Sequence, residues 1–339
     1  MSYQPRNILV TGGAGFIGCN FIRYLLKKDN NINLVNLDNL SYAGSLDNLT
    51  NLPSPERYSF IEGDICNGAM IDSILRKYNI DTIIHFAAES HVDRSITGPA
   101  AFMQSNLIGT FTLLEAARNY WLNENKWDET QCRFHHISTD EVYGSLSKTA
   151  PAFTEKTPYA PNSPYSASKA GSDHLVRAYF HTYGLPVTTT NCSNNYGPFQ
   201  HSEKFIPTVI RSCLNKKSIP VYGDGKNIRD WLYVEDHCSA IDKVVREGVL
   251  GETYNVGGNN EWSNIDIAKT ICKLLDKNVP GNSSYESLIT FVTDRPGHDW
   301  RYAIDGGKIS SELGWNPTVT FEQGIEKTVE WYLKLDMNF

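Results

Sequence analysis

Short β-like runs, some of them apolar throughout, alternate with helical patterns through the first 190 residues of the chain. The runs predict strands at residues 7–11, 33–37, 58–62, 82–86, 134–138 and 187–191. Apolar residues recurring at helical spacing predict helices over 16–26, around 71–78, over 100–120 and over 163–183. This alternation is typical of βαβ units, whose parallel sheet carries helices on both faces. The predicted fold class is therefore α/β, with a Rossmann-type doubly wound parallel sheet.

The pattern changes after about residue 191, because turn-rich clusters there separate shorter elements. The clusters lie at 194–198, 223–225, 257–260 and 295–297. We expect a smaller mixed α/β lobe in this part of the chain. The predicted domains are a Rossmann domain at residues 1–191 and the smaller lobe at 192–339, with a soft boundary that the chain is free to cross.

Composition excludes several classes of protein. The 339 residues are 40% hydrophobic and 20% charged, which suits a globular chain with a large core. A net charge of −7 argues against bulk nucleic-acid binding, and no apolar run reaches the ~18 residues of a membrane span. Seven scattered cysteines and a polar opening without a secretory signal predict a reduced, cytoplasmic protein. Without Cys-x-x-Cys or His-x-x-x-His pairs, we expect no metal.

A glycine-rich turn joins the first predicted strand to the first helix. Gly12, Gly15 and Gly18 permit a tight turn and let backbone amides approach a pyrophosphate at the helix N-terminus. Asp38 ends the second strand, where a carboxylate would bind ribose hydroxyls and repel a 2′-phosphate. The pattern therefore predicts NAD rather than NADP. Asp64, ending the third strand, is either an adenine contact or a helix N-cap.

Tyr165 and Lys169 lie one helical turn apart and therefore share a helix face. The ammonium, together with a positively charged nicotinamide, would lower the pKa of the phenol from its free value near ~10. Tyr165 is thus a candidate base for a sugar hydroxyl. The alternative for a lone Tyr-x-x-x-Lys is an ordinary amphipathic face, but the glycine turn and Asp38 favour the catalytic interpretation.

Two carboxyl groups, Asp140 and Glu141, directly follow Thr139 at the end of the fifth predicted strand. Neighbouring side chains on a strand face opposite sides, so both carboxyls reach one ligand only if the chain leaves strand geometry here. This edge of the sheet is where ligands bind in open α/β folds. On spacing alone, caps on a following turn are an equally good interpretation.

The combined motifs resemble the extended short-chain dehydrogenase/reductase superfamily, which acts on nucleotide sugars. The segment Thr139-Asp140-Glu141-Val142-Tyr143-Gly144 looks like the signature of its dTDP-glucose 4,6-dehydratase family. Further segments that resemble this family lie at 85–95, 191–198, 228–237 and 294–299. The resemblance extends over about residues 6–334, which is nearly the whole chain.

The resemblance implies an NAD-dependent hydro-lyase that converts dTDP-glucose into its 4-keto-6-deoxy product and water. Thr139 would hydrogen-bond the 4-hydroxyl, and Tyr165, supported by Lys169, would remove its proton. Glu141 would remove the C5 proton, while protonated Asp140 would donate to the departing C6 hydroxyl. The two acids would then need opposite protonation states, set by different environments.

The resemblance also implies sets of binding residues. Beyond the glycines, the expected cofactor contacts are Phe16, Ile17, Asp38, Asn39, Leu40, Ser41, Asp64, Ile65, Phe86, Ala87, Ala88, Glu89, Ser90, Ser105, Tyr165, Lys169 and Asn195. The expected substrate contacts, mostly in the smaller lobe, are Ser90, Thr139, Asn194, Lys204, Phe205, Pro220, Val221, Tyr222, Arg229, Asn264, Asp294, Arg295, Pro296, Gly297 and His298. Arg229 and Arg295 suit a diphosphate, although either taken alone would more often form a surface salt bridge.

The chain departs from the family pattern at three places. Trp300 stands where the family more often has an arginine, only seven residues follow Tyr332, and the loop after Gly144 is short. These departures leave the recognised nucleotide open, with UDP-glucose as the alternative to dTDP-glucose.

Two other functions stay open on the sequence. A 4-epimerase of the superfamily would need only Thr139, Tyr165 and Lys169, and the adjacent acid pair argues against it. A redox-sensing module would bind NAD without turning over a nucleotide sugar. The resemblance further implies a homodimer in which the Tyr165 helix and the helix over 100–120 form a four-helix bundle with their partners.

Overall fold

The computed structural model describes residues 2–294 and 299–336. Its strands are β1 (Asn7–Thr11), β2 (Asn33–Asp38), β3 (Tyr58–Glu62), β4 (Thr82–His85), β5 (Arg133–Thr139), β6 (Val187–Cys192), β7 (Asn194–Tyr196), β8 (Ile219–Tyr222), β9 (Ile228–Tyr233), β10 (Thr253–Val256), β11 (Glu261–Ser263) and β12 (Ile289–Val292). Its α-helices are α1 (Phe16–Lys28), α2 (Gly68–Lys77), α3 (Val92–Thr97), α4 (Pro99–Phe102), α5 (Thr110–Ala117), α6 (Pro164–Tyr183), α7 (Phe205–Leu214), α8 (Val234–Glu247), α9 (Asn264–Asn278), α10 (Gly307–Leu313) and α11 (Phe321–Asp336).

The central sheet has seven parallel strands in the order β10-β6-β5-β4-β1-β2-β3. The strand order reverses between β1 and β4, which creates a crevice at the carboxyl ends of these strands. The predicted doubly wound α/β class is confirmed, and all six predicted strands lie in this sheet. Strand β10 comes from beyond residue 191 and pairs with β6, so the chain returns to the large sheet. The division at 191 as a domain boundary stays a prediction.

Both faces of the sheet are buried, as continuous apolar strands require. In β1, Leu9 packs into the cluster formed with α2, α5 and α6, while its neighbour Val10 packs into the cluster formed with α1 and α8. Each is fully buried, and burial of such a side chain contributes about 1.5–3 kcal/mol to folding. The alternation fixes the register of the strand and therefore the position of the loop that follows it.

The helix predicted over 100–120 is present as one helical run over 99–124, but it is irregular. The turns Met103–Gly109 and Arg118–Glu124 are wider π-type turns on either side of α5. In the first of them, buried Asn106 accepts from the backbone N–H of Glu89 at 2.8 Å and donates to the Ser168 hydroxyl at 2.8 Å. The wide turn therefore connects the loop after β4 to α6.

The C-terminal part forms a mixed α/β lobe around two small sheets. Strand β9 pairs with β7 in parallel and with β11 in antiparallel orientation, and β8 pairs with β12 in parallel. Helices α7, α9 and α11 cover a separate apolar core that includes Ile206, Val209, Ile271 and Phe321. Across residues 2–294 and 299–336, we find no helix whose length and apolar character would let it traverse a bilayer.

Candidate active site

A cleft opens at the crevice between β1 and β4 and extends toward the C-terminal lobe. The loops after β1, β2, β4, β5 and β6 form its wall together with the start of α6. The predicted cofactor residues that line it are Gly12, Gly15, Phe16, Ile17, Gly18, Asp38, Asn39, Ser41, Ile65, Phe86, Ala87, Ala88, Glu89, Ser90, Ser105, Tyr165, Lys169 and Asn195. Leu40 and Asp64, also predicted as cofactor contacts, are outside this lining.

The glycine turn is shaped to hold an anionic group at the start of α1. Gly12 has a φ of +74°, and a Cβ atom there would lie 2.6 Å from the backbone nitrogen of Ala87. A Cβ on Gly18 would overlap the Gly12 carbonyl oxygen. Gly15 is the N-cap of α1 and offers no side-chain cap to the first amides of the helix. This open, positively polarised turn fits the pyrophosphate of a dinucleotide.

Asp38 faces the cleft and also holds the glycine turn in place. Its Oδ2 accepts from the N–H of Ala14 at 2.8 Å, and its Oδ1 accepts from the N–H of Leu40 at 2.9 Å. Burial raises the pKa of this carboxyl, with the two amide hydrogen bonds acting in the opposite direction. Asp64 is exposed, and its Oδ1 accepts from the N–H of Cys66 at 2.8 Å. The N-cap of α2 is Asn67 rather than Asp64, which is a turn residue ahead of that helix.

The catalytic corner is built where β5 ends and α6 begins. After Thr139 the chain leaves strand geometry and enters a 3₁₀ turn, in which the Thr139 hydroxyl accepts from the N–H of Glu141 at 3.3 Å. Ser163 caps α6 with its hydroxyl and positions the first turn of the helix. Tyr165 and Lys169 consequently face the cleft side by side, and Thr139 lines the same cleft. The chain thus leaves strand geometry after Thr139, as the acid pair would need in order to reach one ligand, but only Glu141 lines the cleft. The residue that caps the turn is Thr139 rather than either acid.

The two adjacent acids occupy different environments. Asp140 is 1% exposed, and its Oδ1 accepts from the Thr139 hydroxyl at 3.3 Å, while its Oδ2 has no hydrogen-bond partner in the described part of the chain. Burial, followed by the charges of Glu141 and Asp230, raises the pKa of Asp140 well above its ordinary value, and Arg229 only partly opposes this. Glu141 is half-buried and lines the cleft. Neither acid is turned out into bulk solvent, and the difference in burial favours a protonated Asp140.

The expected lowering of the tyrosine pKa is wrong for the chain by itself. Burial, and then the charge of Glu141, raise the pKa of Tyr165 well above its ordinary value, although the hydrogen bond with Thr139 opposes this. Lys169 donates to the Ile137 carbonyl oxygen at 2.7 Å, and burial lowers the pKa of its ammonium to about 8. Desolvation of the phenol therefore outweighs the effect of the neighbouring cation.

The predicted substrate residues divide into two groups. Ser90, Thr139, Asn194 and Lys204 line the cleft, and the Lys204 ammonium donates to the Ser90 carbonyl oxygen at 3.1 Å. The residues placed on the C-terminal lobe outside this lining are Phe205, Pro220, Val221, Tyr222, Arg229, Asn264 and Asp294. The predicted contacts Arg295, Pro296, Gly297 and His298 lie outside the described residues.

Arg229, predicted to bind a diphosphate, is buried within its own lobe. Its guanidinium donates to the carbonyl oxygens of Ile228 at 2.7 Å and Asp299 at 2.9 Å, and lies over the Tyr302 ring at 4.4 Å. These contacts support the strand pairing around β9. Nearby, the Trp300 ring lies 4.8 Å from the Lys148 ammonium, so two departures from the family pattern, Trp300 and the loop after Gly144, are in contact.

Sequence reasoning missed a group of residues at the cleft wall, of which Tyr42 and His201 line the cleft. We name Tyr42, His91, Arg94, His201 and Glu203 the cleft clasp. Arg94 donates to Glu203 at 2.7 Å and lies over the Tyr42 ring at 4.2 Å, while His91 and His201 lie 3.7 and 3.9 Å from Glu203. The clasp joins the loop after β2, helix α3 and the segment before α7. The only signal in the sequence was that His91 and Arg94 belong to the family-like segment 85–95.

Other cleft residues missed by the sequence are mostly neighbours of predicted ones. They are Leu37, Ala43, Gly44, Gly63, Ile137, Ser138, Cys192, Ser193 and Gln200. Cys192 and Ser193 belong to the family-like segment 191–198, and most of the others are apolar or small residues near strand ends, which look like core. Across the described ranges, no group of three or more His, Cys, Asp and Glu side chains is placed to hold a metal ion.

Comparison with known proteins agrees with this geometry. The dTDP-glucose 4,6-dehydratase of Salmonella typhimurium is 59% identical over 336 residues, covering 96% of this chain and 92% of that protein. The solved dTDP-glucose 4,6-dehydratase of Bacillus anthracis in complex with NAD has a TM-score of 0.87 at 46% identity, covering 98% of each chain. A UDP-glucose 4-epimerase from Thermotoga maritima has a TM-score of 0.85 at 28% identity, covering 97% of this chain and 99% of that one. The fold alone therefore does not separate the two reactions.

The family model described as GDP-mannose 4,6 dehydratase matches residues 9–328, which is nearly the whole chain. The predicted resemblance to sugar-nucleotide 4,6-dehydratases is thus confirmed by sequence, and the solved structures share the fold. The chain belongs to the GDP-mannose 4,6 dehydratase family, and dTDP-glucose 4,6-dehydratases are among its relatives.

Proposed function

We propose that the chain catalyses the NAD-dependent 4,6-dehydration of dTDP-glucose to dTDP-4-keto-6-deoxyglucose and water. The observation that carries this proposal is the contrast between buried Asp140 and cleft-facing Glu141, next to Thr139 and Tyr165. Hydride transfer at a single carbon does not need two acids with different proton affinities. The relatives from Salmonella and Bacillus, named for this reaction, support the same choice of substrate.

Oxidation at C4 begins the proposed reaction. When bound, NAD supplies the redox chemistry, hydride removal at C4 and hydride return at C6. The Thr139 hydroxyl holds the 4-hydroxyl of the sugar, and Tyr165 accepts its proton. Because burial raises the pKa of Tyr165, the phenol depends on positive charge beside it, and Lys169 is the cation that the chain provides.

Elimination of water follows from the new ketone, which acidifies the C5–H bond. Glu141 faces the cleft and removes the C5 proton. Asp140 donates its proton to the C6 oxygen, so that the C6–O bond breaks and water leaves. Its Oδ1 accepts from the hydroxyl of Thr139, which lines the cleft, so the acid lies one side chain away from the proposed sugar site. After hydride return at C6, Glu141 gives its proton back to C5. Each of the two acids contributes roughly 10²–10⁴-fold in rate.

The cleft residues named above are proposed to hold NAD and the sugar, and the C-terminal lobe is proposed to hold the nucleotide. Lys204 and Asn194 line the cleft at its junction with that lobe, which supports this arrangement. The predicted contacts of Arg229, Asn264 and Asp294 with the diphosphate or base stay predictions.

We also propose that the protein is a homodimer in the cytoplasm. An apolar face is exposed on the helical run 99–124 and α6, and its members are Met103, Ile108, Phe111 and Tyr183, each at least 37% exposed. A second copy that covers this face would bury it, which supports a four-helix bundle between protomers. All seven cysteines are free thiols, six of them buried, which supports a reducing compartment.

The direct test is to incubate the purified chain with dTDP-glucose and with UDP-glucose and to weigh each nucleotide-sugar product. We expect dTDP-glucose to lose one water at the higher kcat/KM. A product of unchanged mass would indicate an epimerase. Turnover of UDP-glucose alone would show that the substrate carries uridine diphosphate instead of thymidine diphosphate. NAD binding without conversion of either sugar would indicate the redox-sensing module.

A further inference from the structure

A set of buried polar side chains lies behind Lys169 and has no role in the proposed proton transfers. At its centre is Asp173, four residues after Lys169 and eight after Tyr165, so that all three share one face of α6. Asp173 is only 6% exposed. Its Oδ2 accepts from the Ser138 hydroxyl at 2.8 Å and from the Tyr159 hydroxyl at 3.0 Å. Burying a carboxyl group this deeply costs free energy, so solubility does not explain its presence here.

Lys169 and Asp173 meet at the same imidazole. The Nε2 atom of His136 lies 3.4 Å from the Lys169 Nζ and 3.1 Å from the Asp173 Oδ1. Burial, and then the charge of Lys169, hold the pKa of His136 well below its ordinary value, so the imidazole stays neutral. The ammonium and the carboxylate are therefore close neighbours on either side of one imidazole, and both side chains are almost fully buried.

We propose that Asp173 is a positioning residue of the active site, whose carboxylate keeps the buried Lys169 ammonium charged so that it can act on Tyr165. A buried cation without a counter-charge loses its proton, because desolvation penalises the charged form. The proposal rests on the proposed function only for the role of the Tyr165–Lys169 pair. The effect of Asp173 on Lys169 is a property of the protein with or without turnover.

Neighbouring titratable groups do not provide this counter-charge. The ones that face the pair from other elements or from α6 are His85, His136, Tyr143, Tyr159, His174 and Cys192. Burial lowers the pKa of His85 and His136. It raises the pKa of Tyr143 and Tyr159, and it raises the pKa of the Cys192 thiol to about 12. These groups are uncharged at neutral pH. The remaining histidine, His174, is exposed, and a charged imidazole would be a cation, which cannot serve as the counter-charge of an ammonium.

The proton affinities of the pair agree with this arrangement. Burial lowers the pKa of Lys169 to about 8, and Asp173 is the largest influence in the opposite direction. Burial raises the pKa of Asp173 to about 6, and Lys169 is again the largest opposing influence. Between pH 6 and pH 8 both groups are therefore charged. Removing the carboxylate takes away the largest influence that opposes the desolvation of Lys169, which lowers its pKa further.

The test measures the pKa of Lys169 directly by NMR in protein labelled with [ε-¹³C]lysine and stripped of NAD, with Lys169→Met to assign the signal. We expect Asp173→Asn to lower this pKa by about 1 or more. Ser172→Ala is the matched control, since it removes a buried hydroxyl that also contacts His136 but carries no charge. It should leave the pKa of Lys169 unchanged. Tyr159→Phe removes one of the two hydrogen bonds to Asp173 Oδ2 but leaves the carboxylate in place, so it should lower the pKa of Lys169 by a smaller amount.

Turnover against pH gives the second readout. The activity of Asp173→Asn relative to wild type should fall as pH rises from 6 to 8, because the variant loses its Lys169 proton first. Below pH 6 the two enzymes should converge, since the wild-type carboxyl is itself protonated there. An unchanged Lys169 pKa in Asp173→Asn overturns the proposal, as does an equal loss of activity at every pH. If Asp173→Asn does not fold, Tyr159→Phe decides by the same NMR measurement. If the enzyme turned over no nucleotide sugar, the NMR result would still stand, so the two proposals fail separately.

Discussion

The Oδ1 atom of Asp140 lies 3.3 Å from the Thr139 hydroxyl, so the proposed proton donor is hydrogen-bonded to the residue that holds the 4-hydroxyl of the sugar. This contact connects the two halves of the proposed reaction. Asp140 itself is outside the cleft lining, so this contact places it directly behind a residue that lines the cleft. The carboxyl is held close to Thr139, while its second oxygen keeps its hydrogen-bonding capacity.

Replacing Asp140 by Asn should separate oxidation from dehydration. Asparagine keeps the shape of a neutral carboxyl but has no acidic proton, so we expect dehydration of dTDP-glucose to fall by roughly 10²–10⁴-fold. Oxidation at C4 depends on Tyr165 and should persist, visible as absorbance of reduced cofactor on addition of substrate. Glu141→Gln should give the same result, because it stops proton removal at C5. Near-normal turnover by either variant would contradict the assigned roles.

Although Asp140→Asn should lower activity, it should make the folded protein more stable relative to wild type as the pH rises. Burial raises the pKa of Asp140 in the folded chain, so the folded state binds a proton that the unfolded state releases once pH exceeds the ordinary aspartate value near ~4. Wild-type stability therefore falls as pH rises from there to the folded pKa, by up to about 1.4 kcal/mol per pH unit for this group. Asp140→Asn lacks this loss, because its amide never ionises. Urea unfolding at pH 5, 6, 7 and 8 should show the variant gaining on wild type with pH. A constant difference would mean that Asp140 is charged in the folded chain.

The glycine turn can be tested with a pair of matched substitutions. Gly12→Ala adds a Cβ that collides with the backbone at Ala87 and places alanine at a φ of +74°. We expect loss of bound NAD and destabilisation by about 1–3 kcal/mol. Gly184 at the end of α6 has a similar φ of +69°, but no described atom would lie within 4 Å of an added Cβ. Gly184→Ala should therefore lose some stability and keep its NAD, as measured by cofactor content and thermal unfolding. If both variants kept NAD equally, the turn would not be a pyrophosphate site.

Much of the fold could be predicted because six strands of the large sheet are short β-like runs that alternate with helical patterns, and the glycine turn follows the first of them. Strand β10 escaped, since its four residues between turn signals reveal nothing about pairing with β6 more than sixty positions earlier. The wide turns in the 99–124 helix also escaped. In the first of them Asn106 bonds to Glu89 and Ser168, and these are tertiary contacts that apolar spacing does not encode.

The site could be predicted where its residues lie in one continuous motif, as Thr139 to Glu141 and Tyr165 to Lys169 do. The sequence could not show which of two adjacent acids is buried, because that depends on how the chain turns after Thr139. Arg229 was predicted to face a diphosphate on the strength of its chemistry. In the fold, its guanidinium donates hydrogen bonds to backbone carbonyl oxygens of its own lobe.

The exposed apolar face gives a prediction about assembly. Phe111 is 44% exposed near the middle of the 99–124 run, so Phe111→Glu would place a charge inside the proposed bundle. We expect wild type to have the mass of a dimer by light scattering and the variant to have that of a monomer. Val249→Glu is the control, because Val249 is equally apolar and 56% exposed but lies after α8, away from this face. A monomeric wild type, or dissociation by both variants, would contradict the proposed interface.

The cleft clasp predicts how firmly the chain retains NAD. Glu203 joins the segment before α7 to α3 through Arg94, so Glu203→Gln should speed release of NAD. The pair is partly exposed, and such pairs contribute about 0.2–1 kcal/mol, which corresponds to at most about fivefold in rate. Arg94→Ala should have the larger effect, because it also removes the stacking on Tyr42 at the cleft wall. Release can be followed by the loss of cofactor to a scavenging dehydrogenase. Glu124→Gln breaks the equally exposed pair with Arg76 far from the cleft and should not change the rate. If Glu203→Gln and Arg94→Ala released NAD at the wild-type rate, as the control does, the clasp would be a surface salt bridge with no effect on NAD retention.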